Sequence, residues 1–151
     1  MSTAGYRHIV RIAGTDLDGS HRAEFALTWI KGVGMRMARA VLTGLGIDPD
    51  KRLGFLTDAE VKKIEEVLSN PALVNIPPWM FNRRKDLETG KDLHLTGTNW
   101  VLAVKEDIEL MKRIKCWKGV RHALGLKVRG QRTRTTGRKG RTVGVHRKVK
   151  K

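Results

Sequence analysis

The last stretch of the chain cannot build a core. From Lys127 to Lys151 there is no Leu, Ile, Met, Phe, Trp or Tyr, only Val128, Val143, Val145 and Val149 among Gly, Thr, Arg and Lys. Ordering a backbone costs about 1–2 kcal/mol per residue, and so little apolar surface does not offset that cost. Alone in water such a segment is expected to be disordered and self-repelling, taking shape when a polyanion supplies the compensating charge. The distribution of charge agrees. All of the formal +16 lies in the final 40 of 151 positions: residues 112–151 carry 16 Lys and Arg and no Asp or Glu, whereas residues 1–111 carry 15 basic and 15 acidic residues. A neutral body followed by a cationic strap is the organisation this predicts.

The chemistry of the strap favours phosphate over simple solvation. Arg129-Gly130-Gln131-Arg132-Thr133-Arg134-Thr135-Thr136-Gly137-Arg138 is dominated by arginine, whose planar fork suits bidentate phosphate contact and base stacking. Its glycines let backbone approach a nucleic acid closely, and its Thr hydroxyls and main-chain N–H groups add phosphate contacts without further charge. A membrane surface is a poorer match, because the segment has no Trp, Phe or Leu face to insert. No run approaches the roughly 18 apolar residues of a membrane span, and no charged, apolar and then small-residue leader opens the chain. Cys116 is the single cysteine, so no internal disulfide is possible. A soluble cytosolic chain is expected.

The neutral part reads as mainly helical. Residues 6–13 suit a short strand or extended arm before a turn at Gly14–Gly19. Ser20 is placed to cap a helix with Ala23, Leu27 and Ile30 on one face, ending at Gly32. Gly32-Val33-Gly34 then turns into a second helix, Met35–Leu45, with Ala38, Val41, Leu42 and Leu45 inward, Arg36 and Arg39 outward and Gly46 as its C-terminal cap. Thr57 and Glu60 form a capping-box pattern for a third helix, whose stripe is Val61, Ile64 and Leu68 and whose stop is Asn70-Pro71. Residues 71–97, with Pro77-Pro78-Trp79 and Asp86–Leu93, read as a loop and small hairpin inserted into the pattern. From Thr98 to about Cys116 a long helix carries Val101, Val104, Ile108 and Met111 as one apolar seam. The body thus divides into a helical domain over 1–70, an insertion over 71–97 and a long helix over 98–118, with the basic extended tail over 119–151.

The candidate binding groups form two sets. Lys31, Gly32, Gly34, Arg36 and Arg39 surround a turn between helices that can aim helix N-terminal N–H groups at a phosphate, although Gly-x-Gly between helices also serves as plain punctuation. In the second set, Trp117, flanked by Lys115 and Lys118, is the best candidate for stacking on a base. Trp29 and Trp100 are expected to be core indoles. His122, beside Arg121, suits either an RNA contact or a structural hydrogen bond. His8, His21, His94, His122 and His146 have no cysteine or carboxylate at ligand spacing, so no metal or cofactor site is assigned. There is no nucleophile motif and no Walker-type loop, which argues against catalysis.

Arg11-Ile12-Ala13-Gly14 to Gly34, Gly46-Ile47-Asp48-Pro49, and above all Gly119-Val120-Arg121-His122 through Gly125-Leu126 to Arg129-Gly130-Gln131-Arg132-Thr133 resemble the universal S-thirteen family of small-subunit ribosomal proteins. The resemblance covers nearly the whole chain. It implies a helix-two-turn-helix N-terminal domain, a long projecting helix and an extended C-terminal arm on rRNA in the head of the small subunit. Carried onto this chain, rRNA contact falls on Arg121, His122, Lys127, Arg129, Arg132, Arg134, Arg138, Lys139 and Arg141. Arg147, Lys148, Lys150 and Lys151 then lie nearest P-site tRNA. Implied protein partners are the neighbouring S-nineteen protein (uS19) and, through intersubunit bridges, large-subunit components such as the L-five protein (uL5). Residues 71–97 are absent from the shorter bacterial pattern and look like the archaeal and eukaryotic form. The alternative from the residues alone is a DNA-binding or chromatin-like helix-hairpin-helix protein, since an arginine-rich tail does not distinguish the two polymers. A repair enzyme is a weaker third class, lacking an arranged nucleophile and its partner.

Overall fold

A computed structural model describes residues 5–137 of the chain. Its elements are β1 (Ile9–Ile12), β2 (Thr15–Asp18), α1 (Ala23–Leu27), α2 (Met35–Gly44), α3 (Asp58–Ser69), α4 (Gly97–Arg113) and α5 (Trp117–Ala123), with short 3-10 turns at Leu53–Phe55, Pro71–Val74 and Pro78–Met80. The fold is mainly α, and it divides into two compact units within α4, after Val104.

The first unit holds the core. Every fully buried apolar side chain among the described residues lies between Val10 and Ile76, and nearly all are aliphatic: Ile12, Leu17, Leu27, Ile30, Leu42, Leu53, Leu56, Ile64 and Leu68 are the largest. Trp29 and Trp100, expected inside, are 50% and 38% exposed. An indole needs room and a partner for its N–H, and this core is filled by smaller branched side chains.

The segment read as a turn at Gly14–Gly19 is a second strand. β1 and β2 pair antiparallel in the register Ile9↔Asp18 to Ile12↔Thr15, leaving Ala13-Gly14 as a two-residue loop. Both loop residues have positive φ, 48° and 73°, as the type I′ hairpin turn requires. Alanine is an unusual choice at the first position, and its N–H donates to the Glu65 carboxylate of α3 at 2.9 Å, which holds the loop against that helix. α1 is only five residues long and its N-cap is Arg22, without a side-chain cap. Ser20 does not cap it; the Ser20 N–H instead donates to Asp18 Oδ1 at 2.8 Å in a local turn. Backbone bonds from Ala23 N–H to Lys51 C=O and from Glu24 N–H to Pro49 C=O satisfy the helix start.

The next two helices follow the sequence expectation closely. α2 ends in a Schellman motif: Gly46 has φ 69°, its N–H donates to Thr43 C=O, and Ile47 N–H reaches Leu42 C=O. At α3 the reciprocal capping box is formed, with Thr57 Oγ1 accepting from Glu60 N–H and the Glu60 carboxylate accepting from Thr57 N–H. Val61, Ile64, Val67 and Leu68 are its buried stripe. Residues 71–97 form an irregular hairpin around one antiparallel bridge, Arg83↔Leu93. At its tip the Asp86 carboxylate accepts from Thr89 N–H and Oγ1, and from Arg83 Nε at 2.9 Å. The Arg83 bond holds this carboxyl below the usual carboxylate range, with the Thr89 bonds adding to it.

The long helix is shorter than expected. α4 stops at Arg113, Lys115 takes a left-handed φ of 56°, and Cys116 opens a separate helix, α5, in the stretch expected to be extended. No residue of α4 is buried. Thr57→Ala should remove the α3 cap and lower stability by about 1 kcal/mol, read as a fall of several degrees in the melting temperature followed by circular dichroism at 222 nm.

Candidate nucleic-acid interface

The turn between α1 and α2 is built around one glycine. Gly32 has φ 94°, and a Cβ there would lie 2.2 Å from the Leu95 carbonyl oxygen, so conformation and space both demand glycine. Asn82 ties the neighbouring strand of the hairpin to this turn: its Oδ1 accepts from Leu95 N–H at 2.8 Å, and its Nδ2 donates to Leu95 C=O at 2.7 Å and to Gly32 C=O at 3.4 Å. Lys31 C=O accepts from Gly97 N–H at 2.8 Å, while the Lys31 side chain is exposed.

Gly34 is the N-cap of α2 and offers no side-chain acceptor to the first-turn N–H groups. The space where its Cβ would stand is open. Those N–H groups, with the helix dipole behind them, form an anion-accepting end. Arg36 is exposed one residue into the helix, without a hydrogen-bond or ion-pair partner among the described residues. Arg39 is differently employed: its Nη2 donates at 2.9 Å to Glu24, whose carboxylate is largely buried on α1. The geometry thus leaves Lys31, Gly34 and Arg36 facing outward with Gly32 beneath them, whereas Arg39 braces α1 against α2.

Beside this helix end lies a groove of about 360 Å³, lined in part by Gly34, Arg36, Trp79, Met80, Asn82 and His94. Trp79 is 70% exposed and His94 only 8%. Neither ring nitrogen of His94 has a hydrogen-bond partner, and burial holds its pKa below the ordinary 6.5. Trp79, which with Trp29, Trp100 and Trp117 is an indole that sequence offers for stacking, lines this groove together with Asn82 and His94, which no sequence signal connects to the helix end. They stand 45 or more residues from Gly34, and no periodicity signals a contact across that distance.

In the second unit the basic set begins on α5. The Cys116 thiol donates to Met111 C=O and accepts from Gly119 N–H at 3.3 Å, so this cysteine caps a helix. Gly119 is buried, and a Cβ there would stand 2.1 Å from the Met111 carbonyl oxygen, so the close approach requires glycine. Trp117 is 71% exposed, with the Arg121 guanidinium 5.6 Å from its ring centroid. Arg121 Nε also donates to Lys127 C=O at 3.1 Å, which orients the chain as it leaves the helix. A second Schellman motif ends α5, through Gly125 N–H to His122 C=O and Leu126 N–H to Arg121 C=O. His122 is half-buried; Lys127, Arg129, Arg132 and Arg134 are exposed. Arg138, Lys139, Arg141, Arg147, Lys148, Lys150 and Lys151 lie outside the described residues.

Among the described residues no group of three His, Cys, Asp or Glu is arranged to hold a metal, and no helix is long and apolar enough to cross a membrane. What these residues present is a helix end without a side-chain cap and an exposed arginine-bearing surface. Residues 11–139 match the model of the family described as ribosomal protein S13/S18. The small ribosomal subunit protein uS13 of Staphylothermus marinus is 61% identical, over 98% of this chain and 99% of the relative. That of Hyperthermus butylicus is 59% identical over 100% and 99%, and that of Methanocaldococcus jannaschii 50% identical over 99% and 100%. The chain belongs to the ribosomal protein S13/S18 family, which is structural rather than enzymatic and acts in the cytoplasmic small ribosomal subunit. The matched region runs through residues 71–97.

Two outcomes follow. Arg39→Ala should destabilise the first unit by about 1–3 kcal/mol, because it strands a largely buried carboxylate, while Arg36→Ala should change stability by less than about 0.5 kcal/mol; urea unfolding separates them. His94 sets an acid limit. Burial sets its folded pKa below the 6.5 of the unfolded chain, so its contribution is intact above pH 6.5 and declines as pH falls from there toward the lowered folded value. Unfolding free energies measured between pH 7.5 and 5 should show a decline that His94→Gln reduces.

Proposed function

We propose that the chain is a structural constituent of the small ribosomal subunit that holds rRNA of the subunit head by charge neutralisation and shape rather than by reading bases. The observation that carries this reading is the segregation of charge: residues 112–151 contain 16 Lys and Arg and no Asp or Glu, and the cations described from Lys127 onward stand exposed. Membership in the S13/S18 family supports it, as do relatives named small ribosomal subunit proteins.

On this reading Arg121, His122, Lys127, Arg129, Arg132 and Arg134 contact rRNA, and Arg138, Lys139 and Arg141 continue the track. Arg147, Lys148, Lys150 and Lys151 lie nearest P-site tRNA. Lys31, Gly32, Gly34 and Arg36 give a second phosphate contact at the start of α2, with Arg39 holding that helix in place. The neighbouring uS19 and, across the subunit bridge, uL5 are the protein partners. Phosphate contacts dominate this arrangement, so affinity is set by counterion release.

With roughly eight of the 16 bases neutralising phosphates, a log–log plot of affinity for small-subunit rRNA against salt should slope by about −6 to −7. Filter binding across a salt series measures this. Deleting residues 127–151 should leave the helical circular dichroism signal in place and flatten that slope. In a lysate gradient the chain should travel with small subunits, resist DNase and be released by RNase. A DNase-sensitive association, or a salt slope unaltered by the deletion, would overturn the reading.

A further inference from the structure

Charge neutralisation does not explain Trp117. The residue is 71% exposed, and no core is at hand to receive it, because neither α4 nor α5 buries an apolar side chain. Trp29, Trp79 and Trp100 are also exposed in part, but they lie in the stretch 1–111, where 15 carboxylates balance 15 cations. From Lys112 onward every formal charge is positive. Lys115 and Lys118 flank Trp117, and Arg121 follows one helical turn later.

The indole is held in place before any ligand arrives. The Cys116 thiol accepts from Gly119 N–H at 3.3 Å, which fixes the start of α5, and Trp117 is the first residue of that helix. The Arg121 guanidinium stands 5.6 Å from the ring centroid, and its Nε donates to Lys127 C=O at 3.1 Å. This bond ties the arginine, so the cation–π contact restrains the ring from a fixed point. With Arg121 in place most of the Trp117 surface is still open. An aromatic face in cationic surroundings suits an unpaired nucleotide: the cations attract the backbone, and the π-face accepts a base of any identity. A protein groove is the poorer match. Val120 and Leu124 share the Trp117 face at helical spacing and are exposed, but a stretch of 16 cations without a carboxylate is complementary to polyphosphate.

We propose that Trp117 stacks on an unpaired base in a single-stranded stretch of the bound RNA, with Arg121 bracing the indole and Lys115 and Lys118 drawing in the adjoining phosphates. The inference rests on the RNA-binding reading above and deepens it. Where the basic segment begins, the target is single-stranded RNA, recognised by the exposure of a base and not by its sequence. Stacking there adds affinity that does not depend on counterion release.

Two measurements on the full chain test this. In filter binding to small-subunit rRNA, Trp117→Ala should weaken affinity about tenfold, the loss that one stacked base carries. The slope against salt should stay that of the unsubstituted chain, because no phosphate contact is removed. Trp117→Phe should recover most of the loss and Trp117→Leu none of it, with circular dichroism checking that each variant keeps its helices. In the second measurement the ¹⁵N-labelled, unsubstituted protein is titrated with single-stranded octaadenylate and with an abasic octamer carrying the same number of phosphates. Octaadenylate should shift the Trp117 indole N–H, and the abasic octamer should not. Undiminished affinity in Trp117→Ala or Trp117→Leu overturns the stacking proposal, as does an indole that answers equally to both oligomers or to neither. The RNA-binding reading survives those results provided rRNA still binds with its steep salt slope. An indole that responds to octaadenylate alone, in a chain that binds no small-subunit rRNA, would support the stacking site and overturn the ribosomal reading instead.

Discussion

The Gly32–Leu95 contact is the constraint on which the arrangement of the first unit turns. A carbonyl oxygen occupies the space where any other residue would carry its Cβ, and φ at Gly32 is one that side chains rarely tolerate. Because the turn is bare, the 77–97 segment lies directly on it, clamped by Asn82 and by the Lys31 carbonyl. The same contact brings Trp79 and His94 to the start of α2. A residue that looks like punctuation thus determines which side chains share a surface with the helix end.

The core explains why the rest of the molecule is available for contact. Its buried apolar side chains lie between Val10 and Ile76. Neither α4 nor α5 adds a buried apolar side chain. Helices of this kind derive little stability from propensity alone and depend on packing. α5 is held instead by local devices: the Cys116 cap, the close approach permitted by Gly119, and a Schellman stop at Gly125. These devices present Trp117 and Arg121 where the basic segment begins, and they hold the helix without burying an apolar side chain.

Local patterns carried much of the fold. The Thr57–Glu60 box, the Gly46 stop and the stripe of α3 were legible because each depends on residues within one or two turns of one another. The hairpin was missed because Ala13 stands where Asn, Asp or Gly usually signals a type I′ turn, and the Glu65 carboxylate that holds it comes from α3. Ser20 was misassigned because two backbone carbonyls, of Lys51 and Pro49, do the work of a cap from across the fold. Trp29 and Trp100 were placed inside on hydrophobicity alone, which does not register that a core of branched aliphatic residues is already full. At the candidate site, Lys31, Gly32, Gly34 and Arg36 were readable from their spacing, whereas Arg39 has a structural partner that only the packing of α1 on α2 supplies.

By itself the sequence determined that this chain has a neutral helical body and a cationic end, because charge and the absence of large apolar residues are properties of composition and order, independent of conformation. It also determined the family, through Gly and Arg positions that span nearly the whole length. The tertiary structure alone decided which helix end stays uncapped, which arginine is spent on a buried carboxylate, and that a histidine and a tryptophan from a distant hairpin line one groove with the start of α2. Those outcomes depend on side chains many residues apart meeting in space, and contact at that range is settled by packing and steric exclusion, not by any local preference.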